Sequence, residues 1–180
     1  MEEKIKGLFF NETMKRWHFD EIVNETNISR ERINHYLKGM IKVDFVLRAK
    51  PKNKMPYYIA NRESPKFRSE KRLYGLNLLE KQGLFDHIIS LKGIKTAIVF
   101  GSFFRGDWNS GSDIDLFIYG STKNFDKAGI EKKLNREISL LTYSGPKEIE
   151  KELDPKLIPN IIKGFNIKGT LEPFEVGINA

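Results

Sequence analysis

In the segment VFGSFFRGDWNSGSDIDLFIYG (Val99–Gly120), an apolar run ends at a Gly-Ser pair, and a second run begins around Asp113-Ile114-Asp115. Thr96-Ala97-Ile98-Val99-Phe100 reads as a short buried strand. Gly101 permits a tight turn and a close backbone approach, and Ser102 can cap a helix that starts there. Free N–H groups at such a start attract anions. On a following strand, Asp113 and Asp115 lie two residues apart, so their carboxylates share one face while Ile114 turns to the core. Two hard oxygen ligands facing a phosphate cradle suit Mg2+ (or Mn2+) bridging to a nucleoside triphosphate. The chain has no Gly-x4-Gly-Lys loop and no Gly-x-Gly-x-x-Gly.

Together, Gly101-Ser102, Arg105-Gly106 and Ser112-Asp113-Ile114-Asp115-Leu116 resemble the signature of the polymerase-beta-type nucleotidyltransferases. Within that family the resemblance is to the small "minimal" enzymes of archaea and bacteria. It implies a mixed α/β sheet and a metal pair held by Asp113 and Asp115. It also implies nucleotide contacts from Gly101, Ser102, Arg105 and Ser112, with an NTP such as ATP as donor. Arg105 either binds phosphate or braces the helix. The family's third carboxylate follows on a later strand, and the matching segment here is Glu137-Ile138-Ser139-Leu140-Leu141-Thr142. By that alignment Ser139 stands at the acidic position, with Glu137 two residues earlier on the same face. Phe104 is a second departure, where the family often has a small residue.

Outside this segment, the bulk properties are those of an ordinary soluble chain. With 180 residues there is room for one or two domains. There is no cysteine, hence no disulfide framework or thiolate metal site. No apolar run approaches the ~18 residues of a transmembrane helix, and Glu2 and Glu3 occupy the place of a signal peptide's basic end. A cytoplasmic protein with no membrane association is expected. The net charge of +7 is uneven: residues 1–66 hold fourteen Lys/Arg against nine Asp/Glu, and the remainder is close to neutral. Such an asymmetry fits a nucleic-acid-binding module or a solvated Lys-rich face.

Residues 2 to about 17 read as a helix with Ile5, Leu8, Phe9 and Trp17 as core positions. A short helix follows from Phe19 to Val23. A third is capped by Ser29 and carries Ile33, Leu37, Met40 and Ile41 on one face. Val43–Arg48 and Met55–Ile59 alternate like paired strands around the turn-forming tip Ala49–Lys54. The pattern resembles a winged helix-turn-helix domain. A DNA-contacting face would use Arg30, Arg32, Asn34 and Lys38 on the third helix and Arg48, Lys50, Lys52 and Lys54 on the wing. A winged domain used for protein contacts or dimerisation is the alternative. His18 and His87 have no His or Cys partner at ligand spacing and read as structural, and His35 reads as a surface polar residue and not a base reader.

From Pro65 to about Leu91 the chain is apolar at mostly helical spacing, with Gly75 and Gly83 as the places for a kink or a break. The domains expected are a winged helix-turn-helix over 1–64, a helical connector over 65–92 and an α/β nucleotidyltransferase domain over 93–180. In the last of these, helices are expected at Ala128–Arg136, Glu148–Leu153 and Leu157–Lys163. A strand is expected at Ile138–Tyr143, and a strand or tail at Asn166–Leu171. Three functional classes follow. One is a Mg2+-dependent enzyme that transfers a nucleotidyl group to an acceptor hydroxyl on a protein, an RNA or a small molecule. The second is a DNA-binding regulator with a weakened catalytic half, and the third is a protein-docking module such as an antitoxin. A homodimer is compatible with each.

Overall fold

The computed structural model describes residues 1–175. The chain divides into two compact units, Met1–Lys71 with Trp108–Ser110, and Arg72–Asp107 with the residues from Gly111 onward.

The first unit holds three helices and a hairpin: α1 (Glu2–Asn11), α2 (Phe19–Thr26), α3 (Arg30–Lys42), β1 (Val46–Ala49) and β2 (Tyr57–Ala60). Helix α1 stops at Asn11, short of the expected residue 17. Glu12 leaves helical space, and Trp17 pairs instead with Tyr58 through two backbone bonds of 2.8 Å. The indole is buried where this isolated bridge meets β2. Helix α2 opens with the His18 N–H donating to the Glu21 carboxylate, 2.7 Å, and closes at Asn27 in the left-handed region. His18 Nδ1 also donates to the Pro56 carbonyl, 3.0 Å, so this ring is indeed a structural tie.

Helix α3 buries Ile33, Leu37 and Met40 as its spacing predicts, and half-buries Ile41. Ser29 stands at its N-cap, but the hydroxyl makes no capping bond. The first strand begins at Val46 instead of Val43. The Asp44 N–H bonds back to Ile41, extending the helix exit through Val43 and Asp44. The hairpin is antiparallel, with Arg48 opposite Tyr58, and a turn at Pro51–Lys54 closes it. Beneath it Phe10, Phe45 and Phe67 form an aromatic trio with centroids 4.9–5.5 Å apart. Edge-to-face packing of this kind contributes about 1 kcal/mol per pair beyond area burial.

Helix α4 (Pro65–Lys81) runs unbroken past Gly75. The break falls at Gly83, whose φ of +82° few other residues adopt, and α5 (Leu84–Ser90) starts there. Then come β3 (Ile94–Phe100), α6 (Gly101–Arg105), β4 (Ile114–Gly120), α7 (Lys127–Leu134), β5 (Ile138–Tyr143), α8 (Pro146–Glu152), α9 (Ile158–Ile162), β6 (Phe165–Lys168) and α10 (Glu172–Glu175). Helix α7 ends two residues before Arg136 because Asn135 turns left-handed. The last strand is the short β6, not a run to Leu171.

The sheet order is β5-β4-β3-β6, with β4 and β5 parallel and the other pairs antiparallel. The fold is mixed α+β. Side-chain alternation along β4 sends Leu116 and Ile118 to one face and Phe117 and Tyr119 to the other. All four are buried, as expected when helices cover both faces. Phe117 and Tyr119 join Ile98, Phe100, Tyr143, Ile149 and Ile161 in one cluster. Asp115 lies on that same face, one step before Phe117, where the apolar layer gives way to a polar edge. Among the described residues, no helix is long and apolar enough to cross a membrane.

Candidate active site

The antiparallel register places Phe100 opposite Asp115, so the end of β3 meets the start of β4. The chain then turns at Gly101, with φ of +66°. A Cβ at this position would collide with Asp115 Oδ2, so the carboxylate rests directly on the glycine backbone. The Ser102 N–H hydrogen-bonds to that carboxylate. The sequence reading reserved this N–H for an anionic ligand; here Asp115 takes it.

Burial raises the Asp115 pKa, the Ser102 N–H pulls it down, the charge of Asp113 raises it, and Arg105 pulls it down; the net result is upward. The Asp113 charge is felt at Asp115, and Ile114 between them turns the other way into the core. Asp115 is half-buried and Asp113 is exposed. Two carboxylates so arranged form a partial ligand set suited to Mg2+, which keeps several waters and binds substrate phosphates alongside one or two acidic side chains.

Arg105, near the end of the five-residue α6, donates Nε to Asp107, 3.0 Å, on the surface. Its charge still reaches Asp115, so bracing and ligand binding are both open to it. The Ser112 carbonyl accepts from Arg136 Nη1 at 3.0 Å. The guanidinium of Arg136 also lies 5.3 Å from the Phe103 ring, and burial lowers its pKa. Arg136 therefore pins the loop that delivers Asp113. The sequence reading names it only as the end of the helix expected over Ala128–Arg136. A cation beside a helix-to-strand junction was the one available signal.

Parallel pairing sets Ser139 of β5 opposite Asp115, the position at which the resemblance puts an acid. Ser139 is exposed. The Glu137 carbonyl accepts from the Ile114 N–H at 2.9 Å, and its side chain is exposed. Among the described residues, no three His, Cys, Asp or Glu side chains gather as a metal cluster, so Glu137 does not complete the pair. His87 lies elsewhere: its Nε2 accepts from the Asp126 N–H at 2.9 Å, as a structural residue would.

The sequence comparison falls on this region. Residues 83–169 match the family model of the nucleotidyltransferase domain. The matched span, just under half of the chain, runs from the α4–α5 break to the end of the sheet. It contains Gly101, Asp113, Asp115 and Ser139. The reaction class this similarity points to is nucleotidyl transfer. No match was found among curated proteins.

The basic candidates of the first unit are all exposed. Arg30 pairs with Asp20 at 2.6 Å and lies over the Phe19 ring, and Arg32 reaches the Met1 sulfur. Asn34 and Lys38 lie on exposed positions of α3, Arg48 on β1, and Lys50, Lys52 and Lys54 at the hairpin tip. A cavity of about 280 Å³ in this unit is lined by Glu2, Lys6, His35, Tyr36, Met40 and Glu70, among others. Lys6 bridges Glu2 and Glu70 there, at 3.0 and 2.6 Å, so its charge is already neutralised.

Proposed function

We propose that the second unit transfers a nucleotidyl group from an NTP, with ATP as the expected donor, to a nucleophilic oxygen of an acceptor. The observation that carries this reading is the Asp115 carboxylate seated on the Gly101 turn and coupled to Asp113. Asp113 and Asp115 would hold the divalent ion, Mg2+ or Mn2+, that accompanies the triphosphate. When bound, such an ion supplies charge neutralisation and Lewis-acid polarisation at the α-phosphate. Gly101 would meet the outer phosphates through backbone that Asp115 does not cover, and Ser102 through its hydroxyl. Arg105 and Ser112 flank the acidic pair, and Arg105 can turn from Asp107 to phosphate at little cost because its ion pair is exposed. Ser102 orients Asp115 through its N–H, and Arg136 orients Asp113 through Ser112.

The test is transfer from α-labelled ATP together with Mn2+ binding. Asp113→Asn should abolish Mg2+-dependent transfer and weaken Mn2+ binding. Unchanged transfer would remove Asp113 from the metal site.

A second function is supported by a separate feature, the exposed cations of the first unit. We infer a winged helix-turn-helix over 1–64 in which α3 lies in the DNA major groove and the β1–β2 hairpin contacts phosphate. Residues 65–92 then form a helical connector and 93–180 the nucleotidyltransferase domain, of which 176–180 lie outside the described residues. Duplex DNA binding that falls steeply with salt is the expected result. No binding at low salt would leave the first unit as a protein-docking or dimerisation module. In that case the acceptor could be a partner protein, in a cytoplasmic antitoxin-like pair.

A further inference from the structure

An alcohol attacking phosphorus must lose its proton, and a positioned general base contributes ~10²–10⁴-fold to that step. Among the described residues, no third His, Cys, Asp or Glu gathers with the acidic pair to act as that base. Asp113 and Asp115 are committed to the ion, and Ser139, opposite Asp115, carries a neutral hydroxyl. Glu137 is exposed and joins no cluster with the pair. The nearest histidine of the matched segment, His87, is bonded to the backbone at Asp126.

We propose that the acceptor is an oxyanion, a phosphate monoester or a carboxylate, whose attacking oxygen is already ionised at neutral pH. This deepens the nucleotidyltransferase reading and rests on it. The acceptor oxygen attacks the α-phosphorus and a new O–P bond forms. The bridging bond between the α-phosphorus and the β-phosphate oxygen breaks, and pyrophosphate leaves with the electron pair. No proton is transferred at any point, so the step needs no base. The products are a phosphoric anhydride from a phosphate acceptor and an acyl-phosphate mixed anhydride from a carboxylate. Ser139 is then a specificity-determining residue: a carboxylate in its place would both repel an anionic acceptor and accept a proton from a neutral one.

The experiment uses the full chain with labelled ATP and Mg2+ and three matched acceptors: glycerol, glycerol 3-phosphate and glycerate. Wild type should favour one of the two oxyanion acceptors over glycerol by ~10²-fold or more in kcat/KM. The phosphate and carboxylate arms identify which oxyanion is used. Ser139→Asp should raise transfer to glycerol by ~10-fold or more and lower transfer to the preferred oxyanion. Because Ser139 is exposed, this variant should fold normally. Mn2+ titration gives a reading independent of turnover: Ser139→Asp should bind Mn2+ more tightly, as expected if position 139 lies beside the pair.

Equal use of glycerol and both oxyanions by wild type would overturn the proposal. So would an unchanged Mn2+ affinity in Ser139→Asp, or transfer to none of the three. If wild type binds Mn2+ and ATP but shows no oxyanion preference, this proposal alone fails. If Mn2+ binding is insensitive to Asp113→Asn, the underlying metal assignment fails instead.

Discussion

The acidic pair of the second unit and the basic surface of the first are both concentrations of charge, and they are built in opposite ways. Asp115 is half-buried, bonded to a backbone N–H and packed against a glycine where any Cβ would run into its carboxylate. Lys50, Lys52 and Lys54 are exposed on a turn. The first arrangement fixes where a carboxylate sits; the second fixes only a local density of charge. A site for directed chemistry needs the former, whereas attraction to a polyanion needs no more than the latter.

The harshest way to break this comparison is Gly101→Ala. The substitution forces an L residue to φ of +66° and drives a methyl group into Asp115 Oδ2. Expected are a stability loss of about 1–3 kcal/mol, from the strained backbone and the displaced carboxylate, and loss of Mn2+ binding. Thermal denaturation and Mn2+ titration would check both. A variant with wild-type Mn2+ affinity would mean that the turn does not set the position of Asp115.

The basic region should respond differently. Replacing Lys50, Lys52 and Lys54 together by Gln should leave the melting temperature within error, because exposed charges without fixed partners contribute little to the fold. In a duplex DNA titration the slope of log affinity against log salt should become shallower by about 2–3, close to one per lost phosphate contact. An unchanged slope would take the hairpin tip off the DNA surface.

Much of the second unit was legible in the sequence because its signals are local. Gly-Ser at the end of an apolar run, and two acids spaced by one, follow from strand and turn geometry alone. That Ser139 comes opposite Asp115 was anticipated only through the family resemblance, since the apolar pattern of β5 by itself leaves its register open. The parts that were not legible depend on long-range contacts. Trp17 fits a helix by spacing, yet it is claimed by Tyr58, forty-one residues away, which ends α1 at Asn11. Arg136 has no local motif, because its partner is a carbonyl at Ser112, with the whole of β4 and α7 between them in the chain. Gly75 and Gly83 look alike as helix breakers, and only the second takes a left-handed backbone.

Arg136→Ala sharpens the contrast within the acidic site. It removes the bond to Ser112 and the packing on Phe103, and a lost bond of this kind costs about 1 kcal/mol. Relief of this half-buried cation's desolvation penalty offsets part of this. The more telling reading is Mn2+ affinity, which should fall as the Asp113 loop loosens while duplex DNA binding stays unchanged. Equal losses in both would mark Arg136 as a general stability residue.

The smallest effect is the most diagnostic, and it concerns the stability cost of holding two carboxylates together. The Asp115 pKa is raised in the folded chain, so the folded state binds its proton more tightly than the unfolded state does. Stability from this group is therefore present below the unfolded pKa, near 3.8, and is lost as pH rises through the raised folded value. At neutral pH ionised Asp115 opposes folding, first through its burial and then through the charge of Asp113. Asp113→Asn removes one source of that rise, so it should stabilise the apo protein at pH 7 by less than about 1 kcal/mol, since the pair is partly solvated. The gain should vanish in acid, once Asp115 is protonated in both states. Saturating Mn2+ should reverse the order at pH 7, raising the melting temperature of wild type and leaving Asp113→Asn nearly unmoved, because ligand binding to the folded state adds stability in proportion to its affinity. Melting curves at pH 7 and in acid, with and without Mn2+, would read all of this. A variant no more stable than wild type at pH 7 would mean that the two carboxylates are not in tension, and that the acidic dent is an ordinary solvated surface.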